Sequence, residues 1–382
     1  MEWSISLREL PNSFGIDINP DDWYAFGCED CRGAEAYVSE ADERYHFFRP
    51  SHGVDLSIRH LIFLNQIRGV QIPVDPLLLT KAVIPAAGLG TRLLSATKEQ
   101  PKEMLPVFSR TKSGELCLKP IVQLVFEQLY EAGFREFCFI VGKEKRAIED
   151  QLTPDLPYVA KLQKLGKTGA SEDLRAFYEM IEQSTLVWIN QPEPRGFGDA
   201  VLKSKSFVAG DSFLVHAGDS YVHSPNSRHL ERLRRTSDVE KADAAFLAMR
   251  VPDPRRYGVV EGAEEDGGLV RVSKLVEKPQ KPASNLAIMP VYAFHSVILK
   301  ALEVTTKGVG GEIQLTDGIQ KLVDWGLSVR AVELEKTDVR LDIGSPELYW
   351  EAQNLSYGYS VVDRRDENKV VAPLIETRKS AS

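Results

Sequence analysis

The chain has 382 residues, 43% hydrophobic and 27% charged, with a formal net charge of −8. That length can bury one large core plus an appendage, or two ordinary domains. No apolar run approaches the ~20 residues of a membrane span, the N terminus lacks the basic-then-apolar layout of a signal peptide, and four cysteines do not make a disulfide framework. A cytoplasmic protein is expected, with no membrane partner, and neither repeats nor low-complexity tracts interrupt it.

Residues 1–80 hold six arginines, no lysine and thirteen acidic residues, a net of −7 that leaves −1 for the rest of the chain. The asymmetry marks an N-terminal extension distinct from residues 81–382. It is too acidic for nucleic acid. Its first part is turn-rich, residues 56–67 have the apolar spacing of a helix, and PVDPLLLT reads as a linker. Cys28, Cys31, His46 and His52 give C-x2-C-x14-H-x5-H, within the loose limits of a structural zinc site. The competing reading is an ordinary surface turn with unligated histidines, and the acidic residues crowding the intervening stretch favour it.

From Lys81 the chain alternates strands and helices, the pattern of a sheet built with crossovers. Residues 81–106 read KAVIPAAGLGTRLLSATKEQPKEMLP. Ala86 and Ala87 end a buried strand, Gly88 and Gly90 let the backbone curl with its N–H groups toward a phosphate, and Arg92 and Lys102 add two positive charges. A bare G-x-G is also a plain strand-to-loop turn. The third glycine of a dinucleotide fingerprint is missing, since position 93 is Leu93, and no Gly-Lys-Ser/Thr closes a Walker loop. A nicotinamide dehydrogenase is thereby disfavoured. A strand, G-L-G-T-R and P-K-E-M-L-P in this order resemble the signature of the sugar-nucleotide pyrophosphorylases, and K-E-M-L-P is similar to the bacterial UTP:glucose-1-phosphate uridylyltransferases.

Pro120 opens a helix with inner face Val122, Val125, Phe126 and Leu129, Gly133 ends it, and REFCFIVG is the next strand, with Cys138 a buried small hydrophobe. Residues 154–184 form a polar, partly helical excursion before the strand TLVWIN. A helix near 198–208 and the strand SFLVHAGDS come next. The resemblance implies an α/β fold over 81–357: a Rossmann-like, mainly parallel (mixed) sheet flanked by helices, in the nucleotidyltransferase (glycosyltransferase-A-like) architecture. Residues 358–382 form a polar tail.

Candidate site residues appear where strands end, which is where open α/β sheets bind ligands. Gln191 follows TLVWIN and Gly196 lies in the turn after it; an amide can match a pyrimidine edge, and glycine lets a base approach backbone. Asp219 closes FLVHAGDS, and Asp342 precedes Gly344 and a helix opened by Ser345-Pro346. Mg²⁺, a hard cation, suits such carboxylates. In VEKP, Glu277 can accept from sugar hydroxyls while Lys278 neutralises a sugar phosphate.

The resemblance implies that Ala86, Ala87, Gly88, Leu89, Gly90, Thr91, Glu103, Gln191 and Gly196 bind the nucleotide, that Asp219 and Asp342 hold Mg²⁺, and that Gly258, Glu277, Lys278, Asn285 and Glu312 bind the sugar phosphate. Where the family has a Gly-Arg-Tyr run, this chain has Met289, Pro290, Val291 and Tyr292. The implied activity is uridylyl transfer from UTP to glucose 1-phosphate, with Arg92, Lys102 and Asp219 as the catalytic set and a homo-oligomer as the assembly. Two alternatives stay open: the same chemistry with dTTP or another hexose 1-phosphate, and a non-catalytic nucleotide-sugar sensor.

Overall fold

The chain divides into two units, Met1–Asp75 and Pro76–Ser382. The computed structural model describes residues 79–238 and 241–361, with four short strands nearer the N terminus. Those strands, β1 (Ser4–Ile5), β2 (Glu35–Val38), β3 (Tyr45–Arg49) and β4 (His52–Val54), pair antiparallel in chain order. The helix expected at 56–67, Cys28, Cys31, the side chains of His46 and His52, most of the linker and the C-terminal tail after residue 361 lie outside the described residues.

The second unit contains β5 (Lys81–Ala86), β6 (Pro106–Arg110), β7 (Leu116–Pro120), β8 (Glu136–Val141), β9 (Thr185–Asn190), β10 (Phe213–His216) and β11 (Ser220–His223). After these come β12 (Ala244–Arg250), β13 (Gly258–Glu265), β14 (Leu269–Glu277), β15 (Leu286–Phe294), β16 (Val329–Glu333) and β17 (Val339–Asp342). Nine of them form one mixed sheet in the order β12-β16-β14-β13-β15-β10-β5-β8-β9. β10, β5, β8 and β9 run parallel, and β15 turns the direction by pairing antiparallel with β10. β11 with β17 and β6 with β7 make two small antiparallel ladders.

The apolar run of β5 has no polar face because both of its faces are covered. Ala82, Ile84 and Ala86, with Phe137 and Phe139 of β8, pack against Val122, Val125, Phe126 and Leu129 of the helix Ile121–Glu131. The alternate residues Val83, Cys138 and Ile140 face Ala200, Val201, Leu302 and Ile319, from three helices on the other side. Phe126 is fully buried between Phe137 and Phe177, at ring centroid distances of 4.8 and 6.0 Å, and its truncation to alanine would cost about 3–5 kcal/mol. Gly133, at φ +96°, ends that helix in the left-handed region glycine tolerates. The excursion at 154–184 is more helical than expected: Leu156–Lys164 and Thr168–Glu182 are both helices, the second anchored by Phe177, Tyr178 and Ile181. Among the described residues no helix is long and apolar enough to cross a membrane.

Candidate active site

The parallel strands deliver their carboxyl ends in a row. Ala86 pairs with Val141 and Val141 with Asn190, so Ala87, Gly142 and Gln191 succeed one another along the edge of the sheet. A Cβ on Gly142 would sit 3.2 Å from the Ala87 carbonyl oxygen, which keeps this row closely packed. On the other flank of β5, the Gly218 N–H donates to the Pro85 carbonyl at 3.1 Å, which brings Asp219 to the same edge. β10 stops at His216, so Asp219 lies past the strand and just before β11.

Asp342 reaches Asp219 through a different ladder. Ser220 of β11 pairs with Asp342 of β17, and the Ile343 N–H donates to the Asp219 carbonyl at 3.3 Å. A small apolar cluster draws the remaining charges to this point. Leu93, Leu105, Leu341 and Ile343 pack together with Ile121, Leu124 and Ala352. Leu93 is next to Arg92, Leu105 comes directly after the Lys102 turn, and Leu341 and Ile343 flank Asp342, so burying these four apolar residues gathers the polar neighbours above them.

The Lys102 ammonium donates to Asp219 Oδ2. Burial alone would lower the Lys102 pKa, but Asp219, Glu103 and Asp342 outweigh it and raise the value. Burial would raise the Asp219 carboxyl, and the Lys102 ammonium, helped by Arg340, reverses the sign and lowers it. Arg340 donates to Asp342 Oδ2, while the Gly344 N–H donates to Oδ1 at 2.8 Å. A Cβ on Gly344 would lie 3.0 Å from Asp342 Oδ1 and 3.2 Å from Arg92 Nη2, so the Arg92 guanidinium stands beside this carboxylate. The structure thus brings Arg92, Lys102, Asp219 and Asp342 together. It adds Arg340, whose R-x-D spacing on a strand, two residues before Asp342, was the available signal.

The glycines and Glu103 differ in detail from the expectation. Only Gly90, at φ +66°, has the left-handed backbone, and the Thr97 hydroxyl donates to its carbonyl at 2.9 Å. Gly88 adjoins Lys102: a Cβ there would make ordinary contact with its Nζ, at 3.4 Å. Leu89, Thr91 and Arg92 are exposed on the loop above Ala86 and Ala87. Glu103, expected to touch nucleotide, points its carboxylate inward to Lys145 Nζ at 2.8 Å, with both side chains buried. Burial is the largest influence on it and holds its carboxyl above the ordinary value despite Lys145 and Lys102. The carboxylate therefore ties the Lys102 turn to the turn after β8.

Gln191 is buried, and its Nε2 donates to Asp199 Oδ2 at 2.7 Å and to the Gly196 carbonyl at 3.2 Å. Both of its amide groups were expected to be available to a base. The structure leaves Oε1 for that purpose. Gly196 has φ +112°, and a Cβ on it would sit 2.6 Å from the Ile313 carbonyl oxygen and 2.8 Å from Glu312 Cβ. Its glycine is demanded by the chain segment behind it. Glu312 consequently lies against the Gly196 turn, where Gln314 Nε2 donates to its Oε2 at 3.3 Å.

Glu277 ends β14 opposite Gly258. Thr316 Oγ1 donates to Glu277 Oε2 at 2.7 Å, and Lys278 Nζ lies 3.0 Å from Oε1. Lys278 has φ +44°, a strained setting for a lysine, held by its N–H donating to the Tyr257 carbonyl at 3.0 Å. A Cβ on Gly258 would meet Ile288 Cδ1 and Thr316 Oγ1 at 2.8 Å each, so this glycine makes room for the Thr316–Glu277 bond. Asn285 does not join them. Val259 pairs with Ala287, so Asn285, just before β15, lies away from Gly258, and its Oδ1 accepts from Arg250 at 3.3 Å. In the divergent run, Met289 is fully buried and Tyr292 packs on Phe294 at 5.4 Å, so these two serve the core; the Pro290 carbonyl accepts from the Ala217 N–H at 3.0 Å.

One edge of the sheet therefore carries an amide acceptor at one end, a glycine loop with three cations and two carboxylates in the middle, and a carboxylate–lysine pair beyond β15. Among the described residues no cluster of three or more His, Cys, Asp and Glu side chains gathers. Asp219 and Asp342 side by side suit Mg²⁺ all the same, because that ion takes one or two protein carboxylates and completes its shell with phosphate and water oxygens.

Residues 81–357 match the family model described as nucleotidyl transferase. The UTP--glucose-1-phosphate uridylyltransferase of Bacillus subtilis is 38% identical over 249 residues, 63% of this chain and 80% of that one. UTP--glucose-1-phosphate uridylyltransferase 2 of Streptococcus pyogenes is 38% identical over 272 residues, 69% of this chain and 85% of that one. Among solved structures, a UDP-glucose pyrophosphorylase complexed with UDP-glucose is similar with a TM-score of 0.63 and 27% identity, over 73% of this chain and 98% of that one. A UTP-bound UGPase from Acinetobacter baumannii has a TM-score of 0.63 and 31% identity, over 73% of this chain and 93% of that one.

Proposed function

This chain belongs to the nucleotidyl transferase family, and we propose that it transfers uridylyl from UTP to glucose 1-phosphate. A phosphate oxygen of the sugar phosphate attacks the α-phosphorus in line, the bond from that phosphorus to the β-phosphate oxygen breaks, and UDP-glucose and pyrophosphate result. No general base is needed, since the nucleophile is already anionic at neutral pH. Arg92 and Lys102 stabilise the triphosphate and the departing pyrophosphate, with Lys102 nearest the α-phosphate. Asp219 and Asp342 would hold Mg²⁺, which when bound neutralises charge on the phosphate oxygens. Gln191 offers Oε1 to the base, Glu277 accepts from sugar hydroxyls, and Lys278 draws in the sugar phosphate against the repulsion of the polyphosphate.

The observation that carries this reading is the meeting of Arg92, Lys102, Asp219 and Asp342 at one sheet edge, between Gln191 on one side and Glu277 on the other. The experiment is a comparison of kcat/KM for UTP and dTTP, each with glucose 1-phosphate and with other hexose 1-phosphates. UTP with glucose 1-phosphate is expected to be the best pair. A higher value for dTTP or for another sugar phosphate would keep the chemistry and move the substrate. Nucleotide binding without turnover of any pair would favour a sensor.

A further inference from the structure

We propose that Asp199 is a positioning residue that sets which pyrimidine this chain accepts, by fixing the Gln191 amide so that its oxygen faces the base. The inference rests on the uridylyl-transfer reading and adds to it the group that enforces base choice.

Gln191 sits one residue past β9, pinned by its own N–H donating to the Val141 carbonyl at 2.8 Å. Its side chain ends against Asp199, which is 1% exposed and whose Oδ2 accepts from Gln191 Nε2 at 2.7 Å. Asp199 Oδ1 accepts from Arg195 Nη2 at 2.9 Å. An ionised carboxylate can only accept hydrogen bonds, so the amide must turn its nitrogen to Asp199; the reverse rotamer would set two acceptors against each other in a buried place. The Gly196 carbonyl, also an acceptor of Nε2 at 3.2 Å, imposes the same direction. Both partners of the nitrogen therefore leave Oε1 as the group for the ligand.

An amide oxygen needs a donor opposite it. The N3–H of uracil or thymine supplies one. Cytosine presents a bare N3 there and would face Oε1 acceptor to acceptor, and the only remedy, turning the amide over, is what Asp199 penalises. A buried polar mismatch of this kind is worth about ten- to a hundredfold in affinity.

The test measures dissociation constants and kcat/KM for UTP and CTP with the full chain and with Asp199→Asn. The wild-type chain is expected to prefer UTP over CTP by about a hundredfold. Asp199→Asn, whose amide can donate to a turned Gln191, is expected to reduce that ratio by about tenfold or more while its melting temperature stays within a few degrees. Comparable use of CTP and UTP by the wild-type chain would overturn the inference whether or not the variant folds. So would an unchanged ratio in a folded variant. A ratio of dissociation constants that collapses in Asp199→Asn, in a chain that turns over neither nucleotide, would support Asp199 and count against uridylyl transfer alone.

Discussion

Asp219 and Asp342 lie side by side because Ser220 pairs with Asp342 across the β11–β17 ladder, and each carboxylate carries its own cation, Lys102 on the first and Arg340 on the second. A pair of acids this close would repel unless neutralised. Of these two cations, Lys102 is also one of the pair, with Arg92, proposed to engage the polyphosphate.

Lys102→Ala removes one of these charges, the one proposed to act nearest the α-phosphate. Turnover is expected to fall by about 10² or more, from the loss of a transition-state charge partner, with the fold kept. Steady-state kinetics with circular dichroism checks this, and near-wild-type turnover would remove Lys102 from the chemistry.

Gly196→Ala is expected to destabilise the chain by about 2–4 kcal/mol, since the new Cβ meets the Ile313 carbonyl in a left-handed backbone. Gly326→Ala is the control. Gly326 has φ +75° with nothing within 4 Å, so only the backbone cost of about 1–2 kcal/mol applies. Urea denaturation of both variants should give the larger loss for Gly196.

Thr316→Val takes away the donor that orients Glu277. The KM for glucose 1-phosphate is expected to rise about tenfold, because a hydrogen bond to a charged group contributes about 1.5 kcal/mol or more. The KM for UTP should stay put. Equal rises in both would place Thr316 in general packing rather than at the sugar end.

Acid should destabilise the fold through two histidines. Burial pushes the His216 ring down to about 4, and burial, with His216 and His223 nearby, pushes His229 down to about 3. In the unfolded chain both titrate near 6.5. Below that pH the unfolded chain binds more protons than the folded one, so stability is whole above about 6.5 and falls by about 1.4 kcal/mol per pH unit for each ring. Urea unfolding between pH 6.5 and 5 should show this slope, reduced by one proton's share in His229→Leu. A slope unchanged by that substitution would contradict it.

Much of the fold was legible because its signals are local. The helix Ile121–Glu131 announced itself by apolar spacing between Pro120 and Gly133, and the strand at 136–141 by an unbroken apolar run. What the chain order hides is pairing. Nothing in RLDIGS says that Asp342 will lie beside Asp219, since that depends on the β11–β17 ladder and on Leu93, Leu105, Leu341 and Ile343 sharing one cluster. The same limit explains Glu103, Gly196 and Gly258. Each sits in a recognisable motif, but its immediate neighbours are Lys145, Ile313 and Thr316, from distant parts of the chain. Asn285, near the VEKP motif in sequence, comes just before β15 and is bonded by Arg250.

The most direct measurement is phosphorus NMR on the purified chain mixed with UTP, glucose 1-phosphate and Mg²⁺, with a matched sample containing EDTA. UDP-glucose and pyrophosphate should appear in equal amounts in the first sample and not in the second. A spectrum in which UTP and glucose 1-phosphate persist unchanged with Mg²⁺ present would contradict the assignment.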